Sequence, residues 1–216
     1  GEGIVPSINI WWTVSFSDFP GLPRDHREKF DFRWAVRQDG HESRTVACPQ
    51  DQAWRQHTRE MYAIFARLNP ARMWIDDDMR MTLRADLHDA CFCDVCLEEM
   101  SRRIGRTVGR SELVPAIMAD PPNAVRDSWL EFLDDLCHDN VRGLADAVRE
   151  ANPETQTCLM HSIMEIHNAE GRRWDRLIDA LGGNEPWCRP PIGPYYDATP
   201  ITYCSCLNSC RLALAV

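Results

Sequence analysis

Residues 68–80 read Leu68-Asn69-Pro70-Ala71-Arg72-Met73-Trp74-Ile75-Asp76-Asp77-Asp78-Met79-Arg80, and the fold turns on them. Arg72 to Asp76 is a short strand that runs straight into three aspartates. Asn69-Pro70 in front of it stops a helix, because proline disfavours helical geometry in the residue before it. That helix spans about Asp51 to Leu68, with Trp54, Met61, Ile64, Phe65 and Leu68 at helical spacing and Asp51 as its N-cap.

The same grammar returns downstream. A long amphipathic helix, about Val125 to Ala151, carries Trp129, Phe132, Leu133, Leu136, Val141, Leu144 and Val148 on one stripe. It ends at Asn152-Pro153 and gives way to an apolar strand, Thr155 to Ile163. Upstream, Ile4 to Val14 is rich in β-branched and aromatic residues and reads as a buried strand. A helix from about Arg172 to Leu181 stops at Gly182-Gly183, and Trp187 to Ile192 reads as a fourth strand. The polar stretch from Ser15 to Ala47 reads as a long functional loop. One or two short helices are expected between Leu87 and Met118.

Alternating strands and helices imply a parallel sheet with helical crossovers. The expected fold is α/β, of the (β/α)8 TIM-barrel type. About four strand–helix units are visible where a barrel needs eight, so the chain is expected to hold part of a barrel. Residues 1–216 then form a single partial barrel domain, with a cysteine-bearing loop insertion at about 87–118. A complete doubly wound domain is the alternative, although no Gly-rich dinucleotide fingerprint follows any strand.

Composition narrows the partners. The 216 residues carry 24 Lys plus Arg against 33 Asp plus Glu, a net charge of −9, which argues against a nucleic-acid surface. No apolar run approaches the roughly 20 residues of a membrane helix. The ten cysteines, several inside apolar patterns, suit a reduced cytoplasmic protein with a thiolate metal site better than a cross-linked secreted one. A homo-oligomer is left open.

Two clusters carry chemistry. In Cys91-Phe92-Cys93-Asp94-Val95-Cys96, a C-x-C-x-x-C run brings three thiols within reach of one soft cation. Zinc takes four ligands in a tetrahedron, so a fourth must come from elsewhere. Cys48, just before Pro49 and the first helix, is the first choice, and His88 competes. The second cluster is Asp76-Asp77-Asp78 with Arg80 beside it. Barrel active sites lie at the carboxyl ends of the strands, where crowding and desolvation raise a carboxyl pKa toward general-acid duty.

WIDDDMR (74–80) followed by CFCDVC (91–96) resembles the catalytic region of the glycoside hydrolase family 42 β-galactosidases and their relatives. There a strand ends in Ile-Asp-Asn-Glu and a C-x-C-x-x-C zinc loop follows. Ala47-Cys48-Pro49 resembles the family's Cys-Pro segment, which contributes the fourth zinc cysteine. The matching region covers about residues 45–100. The resemblance implies a glycosidase acting on terminal sugars, with structural zinc on Cys48, Cys91, Cys93 and Cys96. It puts Asp78 in the place of the acid/base glutamate and Asp77 in that of the asparagine on the sugar 2-hydroxyl. Both are departures, and aspartate is one methylene shorter than glutamate.

The family's nucleophile comes from a later strand, and Glu165, Glu185 and Asp197 are weak candidates here. The chain alone is expected to lack it. For the carbohydrate itself, Asp76, Arg80, Trp11, His161 and Tyr195 are the expected substrate contacts. Trp54, Trp129 and Trp174 lie on helix stripes and read as packing. A non-catalytic zinc-stabilised carbohydrate-binding domain is the rival reading.

Overall fold

The computed structural model describes residues 3–10, 13, 27–76, 79–82, 90–160, 164–183 and 186–189, the side chains of 164–166 excepted. In chain order the elements are β1 (Ser7–Ile10), β2 (Trp34–Val36), β3 (Glu42–Ala47), α1 (Gln52–Ala66), β4 (Arg72–Ile75), α2 (Asp94–Ile104), α3 (Arg110–Met118), α4 (Ala124–Ala151), β5 (Gln156–Met160), α5 (Met164–Ala169), α6 (Trp174–Leu181) and β6 (Trp187–Arg189). Four strands form one parallel sheet in the order β1-β4-β5-β6. Strands are therefore added one after another in a single direction. Among the described residues the sheet is open, with β1 and β6 at its edges, and no closed barrel is present.

The two faces of the sheet differ. Successive strand residues point to opposite sides. Ile10, Met73, Ile75 and Leu159 are buried in the core shared with the helices. The opposite face carries Ser7, Asn9, Arg72, Trp74 and Cys158, in register across the strands. There the Trp74 indole donates to Ser7 Oγ (2.7 Å), and the Arg72 guanidinium stacks on Trp187, 3.9 Å from the ring centre. This second face is the more polar.

Helix α1 starts where Asp51 accepts a hydrogen bond from Trp54 N (2.9 Å), as its N-cap role requires. Its buried stripe is Trp54, Thr58, Tyr62 and Ala66, an i, i+4 series. The apolar spacing pointed elsewhere at two positions: Ile64 and Leu68 are exposed at 58% and 67%. Small Thr58 and Ala66 allow close approach to α4, whose Gly143 leaves room for the Arg59 guanidinium. Asn123 caps α4 by accepting from Val125 N and Arg126 N.

The repeated Asn-Pro grammar has a physical counterpart, because the two helix ends touch. Asn152 Nδ2 donates to the Ala66 carbonyl (3.2 Å) and to Asn69 Oδ1 (3.0 Å). Thr155 Oγ1 donates to the Pro70 carbonyl at 2.7 Å. Both helices thus end against each other, and β4 and β5 leave side by side.

Two expectations need correction. The first strand starts later and is less buried than Ile4 to Val14 suggests: among the described residues it spans Ser7–Ile10, and Ile4 and Val5, ahead of it, are exposed. The stretch expected as one long loop contains the antiparallel β2–β3 pair, whose strands are irregularly registered. Its alternation of buried Ser43 and Thr45 with exposed Arg44 was hidden by their polarity. Even the longest described helix, α4, is not apolar enough to cross a membrane.

Candidate metal centre and the acidic strand end

Cys48, Cys91, Cys93 and Cys96 converge, all four buried, with their sulfurs within 4.8 Å of one another. The Sγ separations are 3.5 Å for Cys48–Cys93, 3.6 Å for Cys48–Cys96 and 3.7 Å for Cys93–Cys96. A tetrahedron with Zn–S bonds of about 2.3 Å has edges of about 3.8 Å, so the sulfurs already stand at ligand spacing. A disulfide needs about 2.05 Å and is absent from this group.

Local structure explains the convergence. Cys48 sits between β3 and α1, its amide donating to the Arg33 carbonyl (2.8 Å). Cys93 occupies the N-cap position of α2, and Cys96 lies in that helix's first turn. Phe92, between two ligands, donates its amide to the Val36 carbonyl (2.7 Å) and stacks on Trp129 of α4 at 4.9 Å. Hairpin, cysteine loop and α4 are thereby tied together. In a βαβ unit the helix runs back against the strands, so the start of α1 marks the sheet's carboxyl edge.

The thiols share protons unequally. Hydrogen bonding with Cys48, Cys91 and Cys96 pulls the Cys93 thiol far below its usual range. Hydrogen bonding with Cys91 and Cys93, with burial added, pushes Cys48 up, and Cys96 is raised by all three neighbours. Four thiolates cannot coexist at such spacing without a cation between them. The donor set fits a soft divalent metal, and a closed four-sulfur shell keeps no position for water. Three other thiols, Cys137, Cys158 and Cys188, are pushed up to about 11, chiefly by burial, and behave as small hydrophobes.

Asp76 follows the last residue of β4 and is buried. Asn9, near the carboxyl end of β1, donates its side-chain amide to Asp76 Oδ2 at 2.6 Å. Tyr62 of α1 donates to the Trp74 carbonyl (3.4 Å), and its phenol is pushed up by burial and by the Asp76 charge. Arg80 and Met81, further along from Asp76, line a small cavity against Cys91 and Cys96. Asp77, Asp78, Trp11, His161 and Tyr195 lie outside the described residues, as do His88, Glu185, Asp197, Cys204, Cys206 and Cys210. Trp187 starts β6 at the amino edge, the opposite end from Asp76.

Sequence reading passed over one group of residues at this site. Glu170, buried at 1% exposure, accepts from Met81 N (2.7 Å), Thr82 N (2.9 Å) and Thr82 Oγ1 (3.0 Å). Arg172 donates to Glu170 Oε2 (2.8 Å) and to the Met79 carbonyl (2.7 Å). Burial alone would raise the Glu170 carboxyl, but Arg172, His167 and the Thr82 amide outweigh it and hold it below its usual range. Burial also pushes His167 down to about 4, so its ring is neutral beside that carboxylate. The available signal was Glu170-Gly171-Arg172, a glycine flanked by opposite charges.

No protein-family model matches the chain, and no curated protein matches it in sequence. Among solved structures it is similar to the catalytic domain of a β-amylase from Paenibacillus polymyxa, at 12% identity and a TM-score of 0.53. The match covers 81% of this chain and 57% of that one. It is also similar to a polyextremophilic β-galactosidase from the Antarctic haloarchaeon Halorubrum lacusprofundi, at 18% identity and a TM-score of 0.48, covering 82% of this chain and 30% of that one. Both are TIM-barrel glycoside hydrolases. What is shared with the β-amylase domain is the fold. The class is therefore α/β, a parallel sheet with helical crossovers.

Proposed function

We propose that the described sheet is part of a (β/α)8 barrel that hydrolyses a terminal sugar from a glycoside, in the manner of a β-galactosidase, and that Cys48, Cys91, Cys93 and Cys96 hold a structural zinc. The observation that carries this reading is one juxtaposition: Arg80 and Met81, which follow the buried Asp76 at the carboxyl end of β4, line one small cavity with Cys91 and Cys96 of the four-sulfur group. The strand order supports the barrel. A barrel adds its strands one after another in one direction, as the described strands β1-β4-β5-β6 do. The likeness in fold to the β-amylase domain points the same way.

In this reading Asp78 is the acid/base and Asp77 faces the sugar 2-hydroxyl. Asp76, held by Asn9, with Arg80, Trp11, His161 and Tyr195, completes the carbohydrate site. A retaining mechanism needs a second carboxylate about 5–5.5 Å away, to be supplied by a later strand. A closed thiolate shell gives the zinc no water to activate, so the cysteines act by holding the loop beside the acidic run. Reduced thiols at the centre suit a cytoplasmic setting, and the acidic balance suits a partner other than nucleic acid.

A panel of aryl glycosides tests the reading on the full-length gene product, which would supply the later strand and its carboxylate, with the parent and Asp78→Asn assayed side by side. Turnover that falls by at least about a hundredfold in the variant supports an acid/base role. Turnover indifferent to the substitution removes Asp78 from the mechanism. Carbohydrate binding without turnover favours the second reading, a non-catalytic binding domain, which the shorter Asp78 side chain also favours.

A further inference from the structure

We infer that Glu170, with Arg172, is a positioning device that sets the path of the chain as it leaves the acidic run at the end of β4. Met79 to Thr82 are the first described residues after that run, and no regular element holds them. Instead a single buried carboxylate receives two consecutive backbone amides and a hydroxyl from them. The partner arginine receives the remaining load by donating to the Met79 carbonyl while pairing with the same carboxylate. The four-residue segment is therefore gripped at both its start and its end from the far side of β5, about 90 residues on in sequence.

Gly171 makes the grip feasible. It adopts φ +64°, a left-handed conformation that turns Glu170 and Arg172 onto the same segment. A Cβ there would stand 2.8 Å from Leu130 Cβ and 2.9 Å from its carbonyl oxygen, so α4 lies directly against the turn. The geometry is that of a clamp anchored on the longest helix and closed on the loop. Charge-assisted bonds to a buried carboxylate are each stronger than neutral ones, and neither partner can be removed without leaving the other buried and unpaired. That this segment follows a catalytic acid rests on the function proposed above; that it is held by Glu170 does not.

Residue-resolved amide exchange on the full chain tests the clamp, comparing the parent protein with Glu170→Gln. The expected result is exchange at Met81 and Thr82 faster by about tenfold or more. Core amides in β4 and α4 should stay within about twofold, with unchanged bound zinc. Unchanged exchange at Met81 and Thr82 would overturn the clamp. So would acceleration of every amide by one common factor, since that is the mark of a purely global role. Should Glu170→Gln fail to fold, Arg172→Lys read by the same exchange decides: loss of protection confined to residues 79–82 supports the clamp, and full protection there refutes it. The aryl-glycoside assay of Asp78→Asn bears only on the catalytic reading, so either idea can fail without the other.

Discussion

Gly171 and Gly143 show how differently one residue type can be constrained. At Gly171 an added methyl group meets the α4 backbone, and the left-handed φ itself costs an alanine roughly 1 kcal/mol or more. Gly171→Ala is expected to destabilise the fold by roughly 2–4 kcal/mol, read as a lower midpoint in urea. At Gly143 the obstacle is the end of the exposed, flexible Arg59 side chain, which can swing away. Gly143→Ala should therefore be neutral or stabilising by up to about 1 kcal/mol, from helix propensity. A large loss at Gly143 would mean that the α1–α4 crossing itself needs the missing side chain.

His167 makes a second prediction at this scale. Its ring titrates near 6.5 when unfolded and at about 4 in the fold, because burial disfavours the charge. As pH falls the unfolded chain takes up this proton first, so the stability it secures is present above about 6.5 and drains away between about 6.5 and 4. Glu170, lowered from 4.5, acts in the same direction: its share is present above that value and is lost as pH falls through its folded one. His167→Gln should flatten the upper part of the acid limb, by on the order of 3 kcal/mol across that window. Comparing variant with parent at each pH cancels every acid effect common to both, loss of the proposed zinc included. Parallel curves would show that His167 is not buried in its neutral form.

Among the elements, α4 carries the largest share of the packing. Leu144 is 2% exposed within its core stripe, and Leu144→Ala should cost about 2–5 kcal/mol in denaturant midpoint. Ile64→Ala on α1 should cost within about 0.5 kcal/mol, although periodicity alone placed Ile64 on the buried face. The contrast has a physical origin. Helical spacing fixes which residues share a stripe, but the side turned inward depends on what lies opposite, and small Thr58 and Ala66 let α1 approach α4 closely.

The cysteine loop is an element of a different kind, tied down by the convergence of its thiols with Cys48 and by the Phe92–Trp129 stack rather than by length. Purified reduced protein should carry one zinc per chain. Removing it with a chelator, or substituting Cys96→Ser, should lower Tm by on the order of 10 °C while catalysis per folded molecule is spared. Zinc content near zero in the reduced parent protein would refute the centre. Chelation that abolished activity without touching stability would instead point to a catalytic metal.

At the scale of the molecule, the four described parallel strands and their two unlike faces are the features that matter. One face packs under the helices; the other presents Asn9, Trp74 and Cys158, with Asp76 at its carboxyl edge. In a closed barrel such a face is the interior, and its carboxyl mouth is where loops after the strands build sites. The fold likeness to part of a larger β-amylase domain accords with that arrangement.

Much of this was readable along the chain. Periodicity and the Asn-Pro stops marked α1, β4, α4 and β5, because those signals are set by neighbours within a few residues. The C-x-C-x-x-C spacing brought three ligands together for the same local reason. Cys48 is 45 residues from Cys93, and Glu170 is 88 from Thr82, so neither partnership leaves a local pattern. Spacing left Cys48 as a choice against His88, with the resemblance of Ala47-Cys48-Pro49 favouring it, and Glu170 was not reachable at all. Those contacts exist because parallel strands and their crossovers return distant loops to one edge of the sheet, and only the packed chain decides which side chains meet there.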